Sequence, residues 1–165
     1  TTEIYTLSLH DALPIYTSLS DIATMIGDLT SMIASEWLGQ EVAVSSQYVA
    51  YEGKPVEFEI DPSYSYDEAV LTIKDSQNEI IYQGALDADQ ARHIWDGELS
   101  AGSAKATEGV YQFQVDLFSE GQQIASVPPQ VVSTVTTLGS EKGQMRVGTD
   151  SRLSANLSDV RKIEP

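Results

Sequence analysis

The chain has 165 residues, of which 41% are hydrophobic and 21% charged, the balance of a folded domain rather than a disordered one. Nine basic residues against twenty-five acidic ones leave a net charge of −16. That excludes a nucleic-acid backbone as partner, because counterion release needs a basic surface, and argues against an anionic membrane for the same reason. With no cysteine, disulfides, thiolate metal sites and a cysteine nucleophile are ruled out. No apolar run approaches the roughly 18–20 residues that span a bilayer as a helix, and no basic segment followed by an apolar one reads as a Sec-type signal. The charge is uneven: residues 1–140 hold four basic and twenty-one acidic side chains, residues 141–165 five and four. An acidic body with a near-neutral tail points to two structural units.

The spacing predicts a helix over residues 17–37. Leu19, Ile22, Ile26, Leu29 and Ile33 recur at alternating steps of three and four, an a/d seam, and Met25 and Met32 widen the stripe. Thr17, Ser18 and Ser20 offer N-cap chemistry, Asp21 sits in the first turn, and Gly39 is placed to stop the helix. The stripe either packs on its own domain or joins further copies of the chain. Nothing else reads as a helix able to cover it, which favours self-association, and isoleucine in the seam leans toward more than two strands.

From residue 41 onward the pattern is β. Val56, Phe58 and Ile60 alternate with Glu57 and Glu59, the mark of a half-buried strand. Leu71 and Ile73 start a hairpin that turns through Asp75-Ser76-Gln77-Asn78 into Ile80–Tyr82. Tyr111, Phe113, Val115 and Leu117 define one face of the strand Val110–Phe118, and Glu120-Gly121 turns it into Gln122–Val127. Pro128-Pro129 reads as a boundary. Strands follow at 131–137, Met145–Val147 and Leu153–Leu157. Short strands with turn signals and no helices between them indicate an antiparallel sandwich or small barrel. The sandwich is expected over 54–128, inserted in a second small β unit made of 38–53 and 129–165.

No catalytic constellation assembles. His10 and His93 are the two histidines, and His93, beside Ile94-Trp95, reads as structural. There is no zinc-spaced pair, phosphate loop or nucleophile elbow, and Asp87 and Asp89 lack the ligand spacing of a calcium loop. Neither a cofactor nor a metal is expected. Trp95-Asp96-Gly97, with Gly102, Gly109 and Tyr111, reads as a fold element: a core anchor, a tight turn, and the opening of the next buried face.

These residues resemble the bacterial flagellar hook-capping family, FlgD. Ile73-Lys74-Asp75-Ser76-Gln77-Asn78-Glu79-Ile80-Ile81 is similar to its I-x-D-x-x-G-x-x-V hairpin, with Asn78 where glycine is usual, a residue that tolerates left-handed backbone. Trp95, Asp96, Gly97, Gly102, Gly109 and Tyr111 match its W-D-G…G…G-x-Y element. Ser35–Val42 is similar to its opening strand, with Gln40 for the common lysine, and Leu157–Ile163 to its closing L-x-[DE]-V-R-x-I. The resemblance covers about residues 17–163. It implies a mainly β fold, a fibronectin-III/Ig-like antiparallel sandwich inserted in a small Tudor-like β barrel and preceded by one N-terminal helix. It also implies a non-enzymatic assembly cap that helps hook subunits add at the growing tip. Such a cap partners hook protein subunits and a homo-oligomer larger than a dimer through residues 16–37. It is made in the cytoplasm and exported by the flagellar type III path. Residues 1–15 read as a non-native leader, similar to a translated sequencing adapter, and the family's longer N-terminal region is expected to be missing. The competing reading is an extracellular carbohydrate-binding or adhesion sandwich presenting Tyr48, Tyr51, Tyr64, Tyr66 and Tyr82. A hydrolase resting on some Asp or Glu is the third.

Overall fold

The computed structural model describes residues 31–163. They fall in two compact units that divide after Leu38. In the first, residues 31–37 are helical, and the last turn closes with the Leu38 N–H on the Ala34 carbonyl at 2.9 Å. Of the apolar seam read from the sequence, Ile33 lies here and is half-buried. Leu19, Ile22, Ile26 and Leu29 lie outside the described residues. Gly39 takes the left-handed φ of +81° that a helix stop requires.

The second unit is antiparallel β throughout. Its strands are β1 (Glu41–Ser45), β2 (Tyr48–Tyr51), β3 (Val56–Glu59), β4 (Glu68–Lys74), β5 (Ile80–Leu86), β6 (Arg92–Trp95), β7 (Gly109–Ser119), β8 (Gln122–Val127), β9 (Gln130–Glu141), β10 (Gln144–Thr149), β11 (Ser154–Asn156) and β12 (Val160–Lys162). One sheet runs β2-β7-β4-β5, with β8 also on β7. The facing sheet runs from the β6–β3 pair through β9 to β1 and β12, with β10 and β11 continuing from β9. Between the sheets lies a core that includes Val49, Tyr51, Phe58, Leu71, Ile73, Trp95, Phe113, Val115, Leu117 and Val131.

The period of two does what it predicts. On β7, Tyr111, Phe113, Val115 and Leu117 are buried, while Gln112, Gln114 and Asp116 between them are only half-covered. Burying such side chains contributes roughly 1.5–3 kcal/mol each, which pins the register against a one-residue slip. The sequence-derived hairpin is β4–β5. Asp75 Oδ1 accepts the Gln77 and Glu79 backbone N–H groups at 2.9 and 3.0 Å, and Asn78 carries the left-handed turn at φ +66°.

Three features differ from the sequence reading. The strands expected to form a small barrel instead make an open ladder, β11-β10-β9-β1-β12. Nothing among the described residues pairs β11 to β12. Second, β2, expected with the smaller unit, pairs with β7 from Tyr48↔Gln112 to Tyr51↔Gly109, because Val49 and Tyr51 point into the sandwich core. Third, the strand expected over Leu153–Leu157 is three residues long and passes at Leu157 into a 3₁₀ turn ending at Asp159. Pro128-Pro129 is where the chain changes sheets. Pro129 is fully buried, and its carbonyl accepts the Ser46 N–H at 3.1 Å.

Two hairpins share one turn design. Glu120-Gly121 (φ +52° and +78°) joins β7 to β8, and Lys142-Gly143 (φ +52° and +78°) joins β9 to β10. Both central residues are left-handed, the geometry that matches strand twist and favours Asn-Gly. Glu120→Asn is therefore expected to stabilise the protein by roughly 0.5–1 kcal/mol. A urea titration reads this as a higher midpoint at unchanged slope, and an unchanged or lower midpoint contradicts the turn assignment.

Candidate functional site

The tryptophan corner is built from three chain segments. β6 delivers Trp95 into the core, where 2% of its surface remains exposed. Its ring lies 5.1 Å from Tyr51, 5.7 Å from Tyr111 and 5.4 Å from Phe113, centroid to centroid, the last two edge-on. Such edge-to-face pairs add to plain area burial. The indole N–H is satisfied by the Glu98 carbonyl at 2.8 Å, so the turn that follows must fold back under the ring. Asp96 and Gly97 make that turn. Asp96 Oδ1 accepts the Glu98 N–H at 3.2 Å and Oδ2 accepts Lys105 Nζ at 2.8 Å. Gly97 sits at φ +90°, and a Cβ there would fall 2.2 Å from the Tyr51 hydroxyl. The Ala106 N–H donates to the Gly97 carbonyl at 2.8 Å. Tyr51 itself donates to the Asp96 carbonyl at 3.3 Å.

Gly109 and Tyr111 open the next strand from the same corner. Gly109 pairs with Tyr51 across the sheet, and the Tyr111 hydroxyl donates back to the Thr107 carbonyl at 2.6 Å. This is the tyrosine corner of Ig-like sandwiches. The structure thus brings Trp95, Asp96, Gly97, Gly109 and Tyr111 together around Tyr51, a participant the sequence reading placed only among possible ligand-facing tyrosines. The alternation of Val49 and Tyr51 marks a buried face, but nothing in it points to Trp95. The carboxyl of Asp96 is held below the usual carboxylate range, first by its hydrogen bond to Lys105 and further by that residue's charge.

A second cluster spans the strands of the sheet that holds β6, β3, β9, β1 and β12. Arg92 of β6 meets Glu41 of β1 at 2.7 Å, Glu57 at 3.3 Å and Glu59 at 3.7 Å, both of β3. Arg161 of β12 pairs with Glu59 and donates from Nη2 to Gln130 Oε1 of β9 at 2.8 Å. The hydrogen bond to Glu41 and the three carboxylate charges outweigh burial and raise the Arg92 pKa. The ligand-facing tyrosines do not assemble into one platform. Tyr51 is buried at the corner, Tyr66 and Tyr82 are half-buried against the core, and Tyr48 and Tyr64 are exposed at separate places. Asp87 Oδ1 is taken by the Asp89 N–H at 2.9 Å, and no group of three metal-ligating side chains occurs among the described residues.

Fold and corner together define an Ig-like antiparallel sandwich continued into a smaller β ladder. Residues 45–121 match the FlgD Ig-like domain. The chain shares its fold with FlgD from Xanthomonas campestris, a protein of the hook capping essential for flagellar assembly. The two are 18% identical with a TM-score of 0.64, over 77% of this chain and 94% of that one. FlgD from P. aeruginosa is also 18% identical, with a TM-score of 0.55 over 76% and 98% of the two chains. No curated protein matches the chain.

Two predictions follow the geometry. Trp95→Ala removes the common neighbour of three rings and is expected to cost roughly 3–5 kcal/mol; a loss under about 1 kcal/mol in a denaturant titration would show that the corner does not anchor the fold. His93 packs 5.5 Å from Phe58, ring to ring, with Nε2 buried and no hydrogen-bond partner among the described residues. Burial pushes its pKa below the usual value, and the opposing charges of Asp87 and Glu59 do not restore it. The unfolded chain takes up the proton first, so this contribution is complete above about pH 6.5 and lost as pH falls through the lower folded value. His93→Phe should flatten the fall in denaturation midpoint below about pH 6.5, and an unchanged pH profile would clear His93 of that role.

Proposed function

We propose that this chain is a non-enzymatic scaffold of flagellar hook assembly, a cap that promotes addition of hook subunits at the growing tip. The observation that carries the reading is the FlgD Ig-like domain at residues 45–121, in a fold like that of the X. campestris hook-capping protein. Its partners are hook protein subunits and further copies of itself, and it reaches the hook tip through the flagellar type III path after synthesis in the cytoplasm. In this reading residues 54–128 with β2 form the sandwich, and the rest of 38–53 and 129–165 forms the Tudor-like unit in which it is inserted. Residues 16–37 associate copies into an oligomer larger than a dimer, and residues 1–15 are a non-native leader.

A cap must hold several copies at the end of a tube, and Leu19, Ile22, Ile26, Leu29 and Ile33 supply a seam for that. Gly27 weakens the seam by about 1 kcal/mol relative to alanine, so the association should depend on concentration. Ile26→Asp is expected to abolish it while the β signal in circular dichroism stays. Sedimentation of both proteins at rising concentration is the test. A parent chain that stays monomeric, or a variant that associates equally well, removes the helix from the mechanism. The role itself is tested by expression in a strain lacking its own cap, where regained hooks support it and a strain that stays hookless overturns it.

A further inference from the structure

A groove of about 640 Å³ lies where the β3–β4 and β5–β6 loops meet β12, lined by Tyr64, Tyr66, Asp61, Asp89, Gln90 and Arg161. Its aromatic wall is held in place. Asp61 Oδ1 accepts the Ser63 N–H at 2.9 Å and its carbonyl accepts the Tyr64 N–H at 3.2 Å, a turn that fixes the backbone beneath Tyr64. That side chain is 40% exposed, while Tyr66 packs against the core behind it. Among the described residues the one cation lining the groove is already answered: Arg161 pairs with Glu59 and donates to Gln130. Asp89 has no ion-pair partner among the described residues, and its backbone N–H donates to Asp87 Oδ1. The groove therefore offers an exposed aromatic face beside Asp61, which already feels the charge of Arg161, and beside the Asp89 carboxylate, which no cation among the described residues pairs.

From this charge complementarity we infer that the groove docks an arginine side chain from an extended segment of a partner protein, with the guanidinium over Tyr64 and its charge answered by Asp89 and Asp61. A guanidinium is weakly hydrated, stacks on aromatic faces and matches a carboxylate in plane. A phosphate or other anion would meet two carboxylates, and the net charge of −16 adds a field that draws in cations and repels anions. A neutral sugar would use the ring but leave the carboxylates unanswered. The groove would act in this way irrespective of the assembly that the chain joins.

The test is a titration of the full chain, followed by the backbone amide resonances of residues 61–66 and 88–91, with a short glycine–arginine peptide and its citrulline counterpart. The arginine peptide is expected to shift these amides saturably, with an affinity that weakens as salt rises from about 0.05 to about 0.3 M. The citrulline peptide should leave them in place. Tyr64→Ala and Asp89→Asn, both exposed positions, should each weaken binding by about fivefold or more without altering the rest of the spectrum. The inference is overturned by equal shifts with both peptides, by binding that survives both substitutions, or by no saturation at millimolar peptide. It is equally overturned if a neutral oligosaccharide moves these amides and the arginine peptide does not. Loss of the hook-assembly role would show in the cap-deficient strain and leave this titration unchanged.

Discussion

The two sheets are held at their distance and register by the burial of one indole. Trp95 is the point where β6 of one sheet meets β2 and β7 of the other, through Tyr51, Tyr111 and Phe113. A ring that large cannot be inserted without fixing what lies around it, because interiors pack like organic crystals. Its N–H must also find an acceptor, and the Glu98 carbonyl supplies one only if the chain reverses at once. The reversal brings Gly97 against the Tyr51 hydroxyl, where any side chain would collide. The tight turn, the glycine and the hydrogen-bonded tyrosines thus follow from the decision to bury Trp95.

The second organising element is β9. Val131 lies opposite Val44 on one side and Phe58 on the other, so a single strand serves the sandwich core and the smaller ladder. Farther along, the same strand carries β10 from Val135 to Glu141. Arg92 and Arg161 bind across this region to carboxylates and an amide from β1, β3 and β9. These ion pairs are partly exposed and individually worth at most about 1 kcal/mol. Their effect is orientational: a planar guanidinium with several fixed partners resists sliding of one strand past the next.

The acidity of the chain has a structural use besides solubility. Asp61, Asp75, Asp87 and Asp96 each accept the backbone N–H two residues on. Asp67 takes the N–H of Glu120, and Asp150 that of Thr134. A short carboxylate is an acceptor without a competing donor, suited to loops whose N–H groups have no ladder partner. Several of the negative charges are therefore turn chemistry, and the remaining unpaired ones set the electrostatic field that a partner meets.

What the sequence by itself determined is the local part. The alternation in β7, the Asp75–Asn78 turn and the glycine stop at residue 39 are dictated by side-chain period and by allowed φ, which neighbours in the chain suffice to set. The tryptophan corner was legible as a cluster of unusual residues, because a tryptophan, a tight turn and a glycine-opened strand have few joint uses. Tyr51's place in it was not legible, since its partner Trp95 is far along the chain and contact at that separation leaves no periodic trace. The same holds for β2, whose four residues fit either sheet by pattern and were assigned only by the core they fill. The open ladder, in place of a closed barrel, also belongs to the tertiary structure alone. Closure depends on strand tilt and stagger summed over every pair, a quantity that no single segment encodes.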